Sequence, residues 1–391
     1  MKRQLSVLLF AFICFSISAK DLLVQLKTNK EIGETINITF EVNDNSDIDI
    51  DFGNGSLINF NVSTGIFNHL SNTVAGETIK VYGNAEIITQ INCEEQGITN
   101  LELYNLSNIK YLDCTINQLT FLNIKNCSLL NHLNCSYNNL ESLDLSGCVN
   151  LSKLECSNNR LSELDISALA NLMELNCWGN KLSALDVSMC NDLTDLNCNS
   201  NKLRYSTLKL GQQNLSSYNF DSQEKIDLGE SIAVGSQVDL SSEYSFNDNV
   251  TTFRWYKQGY TNELIKNLDY TVNEGVFTFL RSQITPVYCQ MWNASFIGLR
   301  LETNKFDITA ATSVNNELTL NSKVIVKQSS ISIETLSNSK LEVYNISGKV
   351  ILKERIVSGK YSFRSPEKGI LVVSLKNDND IFTKKIGCSL Q

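Results

Sequence analysis

One period governs the middle of this chain and restricts the folds open to it. Cys93, Cys114, Cys135, Cys156, Cys177 and Cys198 follow one another at intervals of 21 residues. The columns around them repeat as well. Two residues before each Cys stand Ile91, Leu112, Leu133, Leu154, Leu175 and Leu196. Three residues after come Gln96, Asn117, Asn138, Asn159, Asn180 and Asn201, and five after come Ile98, Leu119, Leu140, Leu161, Leu182 and Leu203. A fixed short period marks a stacked architecture, in which each unit buries its apolar face against the next.

Coils stacked at the inter-strand spacing of about 4.8 Å place equivalent side chains in vertical files, so an inward file must be apolar in every coil. The Leu, Ile and Cys columns meet that requirement. The Asn column has a different task. Where a coil turns sharply, backbone N–H and C=O groups leave their ladder, and an inward amide can donate to them and accept from them. A second column, Cys127, Cys148 and Cys190, shares its register with Leu169, which marks the site as apolar and its thiols as buried and inert. Metal binding needs converging ligands, and no C-x-x-C pair is present. Disulfides between neighbouring coils are within reach, but parallel side chains suit that bond poorly, so mostly free thiols are expected. The column Glu102, Asn123, Asp144, Asp165 and Asp186 either is solvated or bonds the backbone of its turn, the preferred reading, or bridges calcium.

Written as L-x-x-L-x-C-x-x-N-x-L, the unit resembles the leucine-rich repeat over residues 88–212, six coils in all. The resemblance implies one short strand per coil around Leu-x-Cys and an open concave side. Residues alternating with the inward ones then face that side. One such file holds Tyr111, His132, Lys153, Glu174 and Asp195, and the next holds Asp113, Asn134, Glu155, Asn176 and Asn197. A third holds Glu94, Thr115, Ser136, Ser157, Trp178 and Asn199, with Tyr137 beside it. Exposed aromatics on a rigid sheet are the usual anchors of an interface. Tyr111, Tyr137 and Trp178, with His132, Lys153, Glu174 and Asp195, are therefore the candidate partner-binding residues.

The flanks read as β. Met1 to Ala19 opens with Lys2 and Arg3, continues as the apolar stretch Leu5 to Ile17 and ends in Ser18 and Ala19, the pattern of a secretory signal peptide. That stretch is shorter than the roughly 20 residues that span a bilayer, and Ile13 disfavours a lipid anchor on Cys14. Residues 20–87 alternate from Ile36 to Val42 and from Ile48 to Phe52, which points to a small sandwich capping the first coil. Asp47-x-Asp49-x-Asp51 has the spacing of a calcium loop, but Ile48 and Ile50 between the acids favour a strand. Leu210 to Gln223 is polar and is read as a cap and linker. In residues 224–309, Phe253-Arg254-Trp255-Tyr256 followed by Val287-Tyr288-Cys289 resembles an immunoglobulin-like sandwich. No Cys stands near Leu240, so Cys289 is expected to be an unpaired core residue. In residues 316–391, Leu341-Glu342-Val343-Tyr344-Asn345-Ile346-Ser347-Gly348, Lys368-Gly369-Ile370 and Lys384-Lys385-Ile386 resemble the C-terminal sorting domain of type IX secretion in Bacteroidetes. Leu371 or Val372 takes the usual Tyr place and the Pro-rich opening is absent. Membership implies export across the outer membrane and cleavage of the tail.

Composition narrows the functions. A net charge of -9 with no run of Lys or Arg argues against a nucleic-acid partner. Only His69 and His132 are present, and no G-x-S-x-G, H-E-x-x-H or phosphate loop accompanies them, so neither catalysis nor a cofactor is expected. Paired carboxylates in the sandwiches depend on the fold and stay open. The fold expected is mainly β, a solenoid flanked by small sandwiches. The function expected is that of a secreted or surface adhesion protein, monomeric, as a resemblance to bacterial repeat proteins such as internalins implies. Its partner would be a protein or glycan on a host, microbial or own cell surface. A structural spacer and a glycan-binding protein are the alternatives.

Overall fold

The computed structural model describes residues 20–212, 214–259 and 262–310, and the strands lying between Ser322 and Cys388. The leader reading, with Cys14, falls outside the described residues. The chain divides into two compact units, one ending at Ala310 and one beginning at Ala311. The fold is mainly β, and no helix among the described residues is long and apolar enough to cross a membrane.

Alternation in the first segment produces strands with one buried face. The six are β1 (Asp21–Thr28), β2 (Thr35–Val42), β3 (Ser46–Asp51), β4 (Leu57–Val62), β5 (Asn68–Thr73) and β6 (Thr78–Gly83). In β2, Ile36, Ile38, Phe40 and Val42 are buried. The aspartate triplet lies in β3, where Ile48 and Ile50 point inward. Asp47 and Asp49 accept from the amides of Asn61 and Asn59 on β4, so this stretch is a strand and not a cation loop.

The repeat supplies β7 (Ile88–Asn92), β8 (Ile98–Leu103), β9 (Tyr111–Asp113), β10 (Phe121–Asn123), β11 (His132–Asn134), β12 (Lys153–Glu155), β13 (Glu174–Asn176), β14 (Leu185–Asp186), β15 (Asp195–Asn197), β16 (Leu208–Lys209) and β17 (Ser217–Asn219). The N-terminal layers do not stop where the repeat begins. β2 pairs antiparallel with β7, and a nine-stranded sheet runs β5-β2-β7-β9-β11-β12-β13-β15-β17. β1 likewise pairs with β8, giving a six-stranded sheet in the order β10-β8-β1-β6-β3-β4. The sandwich caps the solenoid by continuing both of its sheets, and one apolar core runs through both. Along the repeats the nine-stranded side is paired without a break, whereas residues 142–144 and 163–165 on the other side form no strand. The nine-stranded sheet holds the Leu-x-Cys strands, the side expected to be concave.

The Asn column bonds as its chemistry requires. Asn138 Nδ2 donates to the carbonyls of Cys114 (3.0 Å), Cys135 (3.1 Å) and Ser136 (3.2 Å), and its Oδ1 accepts from Leu119 N at 2.9 Å. Asn117, Asn159, Asn180 and Asn201 repeat this set. The Cys column is buried throughout, and its thiols, with those of Cys127, Cys148 and Cys190, are free. Burial pushes the thiols of Cys93, Cys135 and Cys177 up to about 12, so they are neutral and unreactive at physiological pH. On the outer turn, Asp144, Asp165 and Asp186 accept from the backbone N–H of Ser146, Ser167 and Ser188, the role preferred over calcium.

Residues 214–223 correct the linker part of the expected cap and linker. They complete a seventh coil, with β17 in register against β15, Phe220 in the Cys column and Gln223 in the Asn column. Gln223 Nε2 donates to Cys198 O (2.9 Å) and Phe220 O (2.8 Å), and its Oε1 accepts from Leu203 N (2.9 Å). This coil is 22 residues long, and its different residue types hide it from the pattern.

The following sandwich sets the sheet of Thr252–Lys257, Val287–Trp292 and Arg300–Glu302 against that of Gln237–Asp239, Val276–Phe279 and Tyr270–Asn273. Trp255 lies buried between them, edge-on to Phe277, Phe279 and Phe306, and Cys289 sits opposite it across the strand pair as a free thiol. Tyr205, at the end of the solenoid, donates from its hydroxyl to Met291 O (2.8 Å) and Leu299 O (3.1 Å), which locks this sandwich to the last coils. The C-terminal unit is a separate β structure whose Ile333, Leu341, Val343, Leu371 and Val373 form a core of their own.

Candidate functional site

The cross-strand register sets two rows of side chains on the outward face of the nine-stranded sheet. One row runs Glu41, Gln90, Tyr111, His132, Lys153, Glu174, Asp195 and Ser217. The other runs His69, Thr39, Asn92, Asp113, Asn134, Glu155, Asn176, Asn197 and Asn219. The first two expected files are therefore real, and the N-terminal strands extend them.

The charges on this face bond mainly to one another. Tyr111 stands edge-on to His132 at 4.7 Å between ring centres and donates to Asp113 Oδ2 at 3.2 Å. His132 Nε2 lies 3.3 Å from Glu155 Oε2, and Lys153 Nζ lies 3.0 Å from Glu174 Oε2 and 3.4 Å from Glu155 Oε1. The hydrogen bond from His132, with Lys153 beside it, holds the Glu155 carboxyl below its usual range. The Glu174 carboxylate raises the Lys153 ammonium, and burial followed by the charge of Asp113 pushes Tyr111 up to about 12. Lys153 and Glu174 are thus engaged with each other. As a half-exposed pair they contribute little to stability and offer a partner a neutralised surface.

The third file departs from expectation. Thr115, Ser136 and Ser157 are buried, Trp178 and Asn199 are partly buried, and Glu94 is exposed. The chain leaves the sheet at this point. The residue two after each Cys takes a left-handed backbone conformation: Glu95 (φ 59°), Ile116 (55°), Tyr137 (56°), Asn158 (51°), Gly179 (68°) and Ser200 (52°). Gly and Asn suit that conformation, but a β-branched or bulky residue there costs on the order of 1–2 kcal/mol. Ile116 is nevertheless 47% exposed and Tyr137 51% exposed, so burial does not offset the cost. Tyr137 meets Trp178 edge-on at 6.4 Å, although the two lie two coils apart. Asn158 Nδ2 and Asn199 Oδ1, from the coils before and after Trp178, are buried without a hydrogen-bond partner among the described residues. Strain, exposed apolar surface and unpaired amides thus gather along one rim, where backbone outliers characteristically mark function. Tyr137 and Trp178 were legible in the sequence as candidates, whereas Ile116 was not. The signal was the Asn158 and Gly179 members of the file, which betray a left-handed turn.

No family model matches the sequence, and no curated protein does. Among solved structures, the functional domain of InlJ from Listeria monocytogenes, which includes a cysteine ladder, is similar at 18% identity. The match covers 56% of this chain and 67% of that one, with a TM-score of 0.31. Immunoglobulin domains 1–5 of Sidekick-1 align at 12% identity over 42% of this chain and 40% of that one, with a TM-score of 0.19. The CD2-binding domain of CD58 aligns at 8% identity over 43% of this chain and 99% of that one, with a TM-score of 0.16. Likenesses this distant carry nothing about a partner.

Proposed function

We propose that this chain is a non-catalytic recognition protein that holds the concave sheet and its left-handed rim against a macromolecule outside the cell. The observation behind this reading is the placement of Ile116 and Tyr137, which fill a strained position that folding alone would give to Gly or Asn and leave their side chains in solvent. Such exposed anchors beside Trp178 are suited to being covered by a partner.

The strain supplies a test that separates binding from folding. Tyr137→Asn removes the ring and installs a residue at home in that conformation, so stability should hold or rise by about 1 kcal/mol. Beads carrying the protein should adhere to epithelial cells, to foreign bacteria or to a Bacteroidetes cell surface, and Tyr137→Asn combined with Trp178→Ala should reduce the adherent count at least tenfold. Equal adherence of the double variant would rule out the rim as the anchor, and no adherence by either protein would leave the spacer reading.

The leader and tail patterns support export to the outer cell surface by the type IX route. In a bacterium with that system, external protease should reach the full-length protein on intact cells and should not reach a chain ending at Ile308. Protection of both would place the protein in the periplasm and remove the adhesion reading.

A further inference from the structure

We propose that the outward face of β9, β7, β2 and β5 binds a pyranose ring, the terminal sugar of a glycan. A cavity of about 340 Å³ opens there, within the size range of small-molecule sites. Its lining follows from strand register. Tyr111 on β9 pairs with Gln90 on β7, and Gln90 pairs with Glu41 on β2. Phe67, the residue before β5, comes next by the same antiparallel count and lines the same cavity. Alongside runs a polar row, Asn92, Thr39 and His69. Two aromatic side chains therefore end a floor of polar ones. Three strand spacings of about 4.8 Å separate their backbones by roughly 14 Å, which leaves room for one saturated ring between them.

The floor matches a sugar better than a protein side chain. A pyranose presents an apolar C–H face that suits an aromatic ring, and a rim of hydroxyls that each donate and accept. The floor offers both kinds of partner. Thr39 Oγ1 takes Nδ1 of His69 at 2.9 Å, leaving Nε2 without a partner among the described residues. Asn92 Oδ1 accepts from Glu94 N at 3.0 Å, leaving the amide donors of Asn92 for a ligand. Gln90 Nε2 donates to Glu41 Oε2, which leaves Oε1 of each as an acceptor. A leucine or phenylalanine anchor would desolvate these groups without replacing their water. A lysine or arginine would use the acceptors and face the donors of Asn92. Phe67 is 60% exposed, as a ring awaiting a stacking partner would be. This site is separate from the rim and does not rest on Ile116, Tyr137 or Trp178.

The test is saturation-transfer NMR on the full chain. The probes are the methyl glycosides of glucose, galactose, mannose, fucose and N-acetylglucosamine, with acetyl-arginine and acetyl-leucine methylamides beside them. At least one glycoside should receive transfer at its ring C–H protons. That signal should fall at least fivefold in Phe67→Ala, a surface truncation that leaves the core untouched. Phe121→Ala, which removes an exposed ring from the six-stranded sheet, should retain it. Transfer to no glycoside, a signal that survives Phe67→Ala, or transfer to the peptide probes alone would each overturn the assignment.

Discussion

Asn159→Ala should lower the stability of the solenoid by about 3–5 kcal/mol, more than any surface change in the same coil. The side chain donates from Nδ2 to the carbonyls of Cys135 (2.9 Å), Cys156 (3.2 Å) and Ser157 (3.3 Å), and accepts at Oδ1 from Leu140 N (2.9 Å). Truncation strands the buried Leu140 N–H, at a cost of about 1–3 kcal/mol, takes one of two donors from each of the three carbonyls, and leaves a cavity too. Because each coil is stabilised by its neighbours, a break in the middle of the array weakens the interfaces on both sides. Asn159→Asp is the sharper probe. It keeps the shape and the acceptor and replaces two donors with a carboxylate oxygen facing carbonyls, so it should cost at least as much as alanine. The denaturant midpoint, followed by circular dichroism, measures both variants, with Asn139→Ala as a half-exposed comparison in the preceding coil. A loss below about 1 kcal/mol in either variant would mean that the amide ladder is not what closes the coils.

The ladder was legible in the sequence because its cause is local and identical in every coil. Leu112, Cys114, Asn117 and Leu119 each meet the same surroundings 21 residues later, so period and chemistry agree. Legibility failed where a position is defined by something outside the period. Phe220 and Gln223 perform the roles of Cys and Asn, but the extra residue in their coil shifts them out of register. Thr115, Ser136 and Ser157 look outward by strand alternation, yet the strand has already ended, and the left-handed residue that follows folds them under the rim. The cavity beside Tyr111 depends on antiparallel pairing between β2 and β7, residues about 50 apart in the chain, and no local pattern specifies that register. The alternation of Thr39 and Glu41 with Ile38, Phe40 and Val42 did place them on the outward face. What it could not supply was their neighbours.

Trp255→Ala should destabilise the second sandwich by about 4 kcal/mol, whereas Trp255→Phe should change it by less than about 1 kcal/mol. The side chain is fully buried and packs edge-on at 5.2, 5.0 and 5.8 Å against Phe277, Phe279 and Phe306. Across the strand pair lies Cys289, a free thiol, so this core is held by packing without a cross-sheet disulfide. Alanine removes the ring system and leaves a void that those three phenylalanines cannot fill without leaving their rotamers. Phenylalanine loses part of the buried area, but it also removes the indole Nε1, a buried donor with no hydrogen-bond partner among the described residues, and an orphaned donor costs about 1–3 kcal/mol. The two terms oppose each other and are of similar size. Thermal unfolding of both variants, read by near-ultraviolet circular dichroism, separates the contributions. An equal loss in both would mean that the indole N–H is hydrogen-bonded in solution, with water as the only available partner, and that the ring is retained for that bond as well as for its volume.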